Sequence, residues 1–386
     1  MSGGPQDHRP IEEPGSGTVG SDPMTSTELA AGRDQGAGAV RMPGAEREVS
    51  AEQLSLVRRL RQPRTIVSLV LPIVLLVLIF RVALNVDVEK LVAAVGRANG
   101  GLLAAAFAVF YLGFPLRGFR WMRILRGTKI QVRTRDATEI IFLSWLVNCL
   151  VPAKLGDLYR AWLLKINAVV SLSRTFGTVF IERILDLFAI AILGLAAGFW
   201  SFRTGLPPAT VVVFAIGVGV VVLLGVGLLT MRNFGRRILV RLPLPHRVLD
   251  YYDRFEEGVF GAIGVRGLAP LVVTTGLIWA TEGLRLFLVV QALGLPDVEI
   301  GLSGAFFVAL IGSLLTAIPL SPAGLGFVEL GVVGVLTAAY GIPVTEATTI
   351  ALVDRTISVF SIIVLGAVAY AISPRRRGSG IPATEG

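Results

Sequence analysis

The sequence predicts an all-α polytopic membrane protein, built as an inverted repeat of span, re-entrant hairpin and span. It contains six full spans and two hairpins, about eight membrane segments in all. Three observations lead there. The 386 residues are 53% hydrophobic with a mean hydropathy of +0.72, and several apolar runs reach the ~20 residues that cross a bilayer. Arginines cluster in alternate connections, as they do on the cytoplasmic side of spans. The run Pro-Ala-x-Leu-Gly occurs twice in apolar surroundings, at Pro152 to Gly156 and at Pro322 to Gly326.

Residues 1–57 are rich in Gly, Pro and Ser and poor in apolar side chains, so a disordered cytoplasmic tail is expected. No apolar stretch follows a basic start early in the chain, which argues against a signal peptide. Met1, Met24 and Met42 are alternative starts. The membrane domain covers 58–372, and 373–386 forms a second cytoplasmic tail. Arg58, Arg59, Arg61 and Arg64 precede the first span, 66–84, and place the N-terminus inside. The weakly basic 85–100 lies outside. Span 101–119 returns to an arginine series that includes Arg117, Arg120 and Arg123. Segments 137–151 and 157–170 flank the first Pro-Ala-x-Leu-Gly. A full crossing of the second would carry Asp157, Arg160 and Lys165 through the bilayer, so a hairpin entering and leaving on the cytoplasmic side fits better. Span 175–199 goes out and 209–230 returns to the basic 231–267. Span 268–293 goes out again. Arg375, Arg376 and Arg377 put the C-terminus inside, so 350–372 runs inward. The intervening 301–341 must begin and end outside, which makes it a second hairpin from the opposite face.

The two halves match in order. Gly118-Phe119-Arg120 parallels Gly283-Leu284-Arg285 at an offset of 165, the hairpin motifs are 170 apart, and Glu182-Arg183 parallels Asp354-Arg355 at 172. Nearly constant offsets in the same order mark an internal repeat. Inverted repeats with helices broken at matching places point to a transporter site near the bilayer midplane, where irregular backbone lines a wet cavity. Pro and Gly that merely kink packed helices are the plainer alternative.

Ionisable residues inside apolar segments are costly and should pair. Cross-pairing between the units is expected, Glu182 with Arg355 and Asp354 with Arg183. Arg120, Arg183, Arg285 and Arg355 are candidates to meet an anionic headgroup, with Glu182, Asp186, Glu282 and Asp354 holding them. The competing reading makes the pairs purely structural locks. Arg117 and Arg123 read as interfacial. Lys154 and Asp157 at the first turn are gate residues or interfacial ones, and Glu329 serves the site.

Other chemistries find little support. Cys149 alone supplies neither a disulfide nor a cysteine metal site and reads as a small buried residue. His8 and His246 lie in a tail and a loop, so no metal or His-based catalysis is expected. There is no nucleotide-binding Gly-x-x-x-x-Gly-Lys-Ser/Thr loop, and no cofactor is expected. No basic face with interleaved aromatics suits nucleic acid, and the net charge of +9 is read as topology. Membrane-embedded carboxylates leave transfer catalysis open.

The run Asn148, Pro152, Gly156, Asp157, Arg160, the segment around Glu182-Arg183, and the run Ser321, Pro322, Gly324, Gly326, Glu329 followed by Asp354-Arg355 resemble the lysylphosphatidylglycerol synthase transmembrane region family. The resemblance covers about 66–372. The family often has Gly where this chain has Ala323, and the soluble aminoacyl-transferase domain of the fused synthases is missing. The resemblance implies a cytoplasmic-membrane flippase or scramblase for a polar-headgroup lipid, anionic, aminoacylated or polyprenyl-linked, rather than a synthase. Its partners would be membrane lipids and a separate lipid- or glycan-modifying enzyme. An accessory protein or membrane-embedded transferase in lipid or glycan assembly is the alternative, and a small-solute secondary transporter the third.

Overall fold

The computed structural model describes residues 87–378, except 152, 169, 204–207, 242–244, 262–264, 297 and 319–320. The expected tail 1–57, the first span 66–84, Pro152 and residues 379–386 lie outside the described residues.

Every described element is helical. They are α1 (Val88–Arg97), α2 (Gly100–Gly127), α3 (Thr134–Leu150), α4 (Leu155–Ala168), α5 (Leu172–Ser201), α6 (Pro208–Val240), α7 (His246–Phe260), α8 (Val265–Leu293), α9 (Leu302–Thr316), α10 (Phe327–Tyr340), α11 (Val344–Arg355) and α12 (Ser361–Ile372). A π-helical turn, Thr356–Phe360, joins α11 to α12. Among the described residues, four segments are long and apolar enough to cross a membrane: Gly100–Gly127, Gly267–Leu293, Pro322–Tyr340 and Val344–Ile372.

Boundaries differ from expectation where polar side chains are satisfied internally. Residues 85–100 are not a plain loop, because Asp87 caps α1 by accepting from the Glu89 and Lys90 amides at 3.1 Å. Asn99 then caps α2. That helix passes the expected end at 119 because Arg117 and Arg120 are buried against carboxylates, 4% and 1% exposed. The last apolar segment starts at Val344 rather than 350, and its buried Thr349 hydroxyl donates to the Thr345 carbonyl at 2.8 Å. The basic 231–267 is largely helical. The end of α6 and all of α7 fall within it, and α7 packs on α5 with Arg174 paired to Glu257 at 2.6 Å.

Both Pro-Ala-x-Leu-Gly motifs break helices. The first separates α3 from α4, with Ala153 and Lys154 at φ 63° and 51°. The second separates α9 from α10, with Ala323 and Gly324 at φ 52° and 72°. These left-handed pairs stand at equivalent motif positions. Each break also satisfies the same amide. The Gly156 N–H donates to Asn148 Oδ1 at 2.8 Å, and the Gly326 N–H to Glu329 Oε2 at 2.7 Å.

The repeat extends to packing. The helices α2 and α8 form the most extensive helix pair. A Cβ on Gly118 would lie 2.9 Å from the Thr138 Cα in α3, and one on Gly283 would lie 2.5 Å from the Phe306 ring in α9. Thus the matching glycine of each unit lets the first hairpin arm sit against the long helix. At the base of the first helix pair, Asp136 and Asn167 both bond Arg375, at 2.6 and 2.8 Å. At the base of the second, Gly304 and Tyr340 adjoin, and the Tyr340 hydroxyl bonds Ser201 at 2.9 Å.

Candidate functional site

The breaks and the charged helices α2, α5, α8 and α11 converge on one cavity of about 170 Å3. Val151 and Lys154 reach it from the first break, and Ser321, Ala323 and Gly324 from the second. Five cationic side chains line it, Arg117, Lys154, Arg183, Arg285 and Arg355, against three acidic ones, Glu282, Glu329 and Asp354.

Ion pairs fix these groups apart from Lys154, most of them within one unit. In the first, Arg120 bridges Asp186 at 2.6 Å and Glu182 at 3.0 Å, and Arg183 holds Asp157 through two bonds of 2.9 and 3.0 Å. In the second, Arg285 holds Asp354 through two bonds of 2.7 and 2.9 Å, and Arg355 holds Glu329 at 2.7 Å. The pairs correspond: the arginine of the first long helix meets the acid of the Glu/Asp-Arg dipeptide. The dipeptide's arginine meets an acid 26 residues earlier, just past the break. The expected cross-pairing of Glu182 with Arg355 and Asp354 with Arg183 is therefore incorrect. Adjacent dipeptide residues point in different directions on a helix, and each finds its partner within its own unit.

Two further arginines complete the network. Arg160 bonds Glu182 at 2.5 and 3.1 Å and stacks over Trp121, its guanidinium carbon 3.9 Å from the ring centre. Arg117 is not interfacial. It pairs with Glu282 at 2.7 Å and lies 4.7 Å over the Trp145 ring. Arg123 is exposed, in keeping with its interfacial reading. Arg285 also bonds Glu282, and Arg355 donates to the Ala323 carbonyl, so the second dipeptide grips the second turn directly.

Of the residues singled out from sequence, Asn148, Lys154, Arg183, Glu282, Arg285, Ser321, Gly324, Glu329, Asp354 and Arg355 line the cavity. Arg120, Asp157, Arg160, Glu182 and Asp186 form the buried network behind it. Gly156, Pro322 and Gly326 shape the turns without lining the cavity, and Pro152 lies outside the described residues. Sequence reasoning missed Arg117, Trp145 and Trp279. Trp145 stands three residues before Asn148, on the same helical face, and that spacing was the available signal. Ser313, Thr316 and Ser358 also face the cavity. Ser358 follows Asp354 by one turn and donates to its carbonyl at 2.9 Å. Cys149 is buried, 4% exposed, and lines the cavity wall.

Comparison with known proteins places this architecture among others. Residues 65–366 match the family model described as the lysylphosphatidylglycerol synthase TM region. The chain is 37% identical over 231 residues to the UPF0104 membrane protein MJ1078 of Methanocaldococcus jannaschii, covering 59% of this chain and 94% of that one. It is 30% identical over 342 residues to the glycosyltransferase AglD of Haloferax volcanii, covering 78% of this chain. That match takes in 52% of AglD, so the present chain spans about half of it. A UPF0104 membrane protein of Methanothermobacter thermautotrophicus is 27% identical over 299 residues, 72% of this chain and 86% of that one.

Proposed function

Since the chain belongs to the lysylphosphatidylglycerol synthase transmembrane region family, as a multi-pass integral membrane protein, we propose that it moves lipid headgroups between leaflets of the cell membrane. The observation that carries this reading is the single cavity lined by both helix breaks and by arginines held in ion pairs. Broken helices around a polar cavity let a headgroup cross while acyl chains remain in lipid. The binding side chains would be those lining the cavity, with Arg120, Arg160, Glu182, Asp186 and Asp157 positioning them.

The proposed topology has six spans and two re-entrant hairpins, with both termini cytoplasmic. Hairpin arms α3, α4, α9 and α10 have 17, 14, 15 and 14 residues. At 1.5 Å per residue they are about 21–26 Å long, short of the ~30 Å hydrocarbon core, and Pro322–Tyr340 reaches crossing length only by counting the broken turn before α10. Both ends of the first hairpin meet Arg375, beyond the last span, whereas in the second Tyr340 bonds Ser201, at the end of α5, and Gly304 lies beside Tyr340. These contacts support hairpins that open on opposite faces.

Purified protein in liposomes carrying labelled phospholipids should change the fraction of label open to an impermeant quencher, with no new covalent product. Product formation without a leaflet change would favour the second reading, membrane-embedded transfer or an accessory role in glycan assembly. The likeness to part of a glycosyltransferase motivates that reading.

A further inference from the structure

We propose that the cavity accepts a lipid headgroup bearing phosphate charge without a compensating cation, and that it excludes aminoacylated, cationic headgroups. The proposal rests on the headgroup-moving reading above and goes beyond it by naming the charge class.

The argument is an account of donors and acceptors. The three carboxylates on the cavity wall have six oxygens, and each already accepts a hydrogen bond. Glu282 is held by Arg117 and Arg285, Asp354 by two nitrogens of Arg285, and Glu329 by Arg355 and the Gly326 amide. An incoming ammonium would meet carboxylates whose charge is already matched by guanidinium groups, so it would gain little attraction for the hydration it gives up. The aromatic faces are engaged as well. Arg117 covers Trp145, and Arg285 lies 5.1 Å over Phe110. Trp279 packs with Ile190 and Leu310. Among the described residues, no cluster of open aromatic faces lines the cavity for a cation.

Donors, by contrast, remain. Nη1 of Arg117, a residue of the cavity wall, lies buried against Gly113 and among the described residues has no hydrogen-bond partner. A buried donor left unmet calls for an acceptor. Lys154 also lines the cavity and, among the described residues, forms no ion pair. The wider network makes the same point. Arg117, Arg120, Arg160, Arg183, Arg285 and Arg355 face Glu182, Glu282, Glu329, Asp157, Asp186 and Asp354, which leaves Lys154 as the surplus charge. Phosphate oxygens complement the Lys154 ammonium.

The test measures thermal unfolding of detergent-solubilised protein with four probes: dioctanoyl phosphatidic acid, dioctanoyl phosphatidylglycerol, dioctanoyl lysyl-phosphatidylglycerol and inorganic phosphate. Ligand binding to the folded state raises the midpoint. The expected result is stabilisation by the first two lipids and none by the lysyl lipid. Lys154→Gln should weaken the apparent affinity for phosphatidylglycerol about tenfold, the scale of one charge-assisted hydrogen bond, while Lys154→Arg retains it. Both variants should melt like the parent without lipid. Equal stabilisation by the lysyl lipid would overturn the charge assignment and leave the headgroup reading standing. Stabilisation by inorganic phosphate but by no lipid would keep the anion preference and overturn the headgroup reading. No shift with any probe, or no effect of Lys154→Gln, would overturn the proposal.

Discussion

At the scale of single residues, the charged side chains divide into those held twice and those held once. Glu329 accepts from Arg355 and from the Gly326 amide that opens α10, so it ties the second turn to α11. Asp157 is held by Arg183 through two nitrogens but has no such role at the first turn, where Asn148 takes the amide. Arg355→Ala strands Glu329 in a site where that carboxylate is 1% exposed. The expected cost is about 3–5 kcal/mol, read as a lower unfolding midpoint in detergent. The double variant Arg355→Met with Glu329→Gln should recover most of it, because no buried charge is left over. If the double variant is as unstable as the single one, the pair is not what sets stability there. The recovered double should still fail to move lipid if Arg355 meets the headgroup, and lipid movement at the parent rate would remove it from the site. The sequence made the candidate charges plain, since ionisable residues inside apolar runs announce themselves. It did not reveal their partners. Pairing depends on which helices touch, and Glu182 has one arginine as its neighbour in sequence but bonds two others, Arg120 and Arg160.

At the scale of elements, the two broken helix pairs carry the repeat more faithfully than the long helices do. Pro and Gly spacing showed both breaks, because few backbone conformations suit those residues in an apolar run. Helix ends were less legible. Span 101–119 becomes a helix to Gly127, since buried arginines look like interfacial ones until their carboxylates are located. The π-helical turn at Thr356–Phe360, directly after Arg355, left no sequence signature; such turns recur at functional sites in helices. Ala323 holds φ 52° in the second turn, a conformation that costs a residue with a Cβ roughly 1–2 kcal/mol. Ala323→Gly should therefore raise stability, by up to about 1 kcal/mol after the extra chain entropy of glycine is counted. A fall in the unfolding midpoint would mean that the methyl group's packing outweighs the backbone strain. The opposite outcome is expected at Gly283, where Gly283→Ala drives a methyl into the Phe306 ring and should cost about 1–3 kcal/mol.

At the scale of the whole molecule, the two turns line one cavity, and the proposed inverted arrangement has their bases open on opposite faces. Residues at those faces, Arg203, Arg237 and Glu299 exposed and Arg376 half-buried, test the arrangement by accessibility. In a Cys149→Ser background, cysteines at Arg237 and Arg376 should resist an impermeant thiol reagent in intact cells, and cysteines at Arg203 and Glu299 should react. The reasoning joins two independent lines. Arginine density assigns Arg237 and Arg376 to the cytoplasmic side. The Arg375 contacts to Asp136 and Asn167 assign the base of the first hairpin to the side of Arg376, and the Tyr340–Ser201 bond assigns the base of the second to the side of Arg203. The tips then provide the decisive distance. Lys154 and Ala323 line one cavity, so cysteines at Ala153 and Ala323 should join through a short bifunctional reagent. Spectroscopic separations that always exceeded about 30 Å, the depth of a bilayer core, would place the tips at opposite surfaces and end the hairpin arrangement. Crosslinking together with surface labelling of Arg237 from outside would keep the cavity but reverse its orientation. The tip experiment therefore tests the architecture and the labelling experiment tests its sidedness, and neither result can stand in for the other.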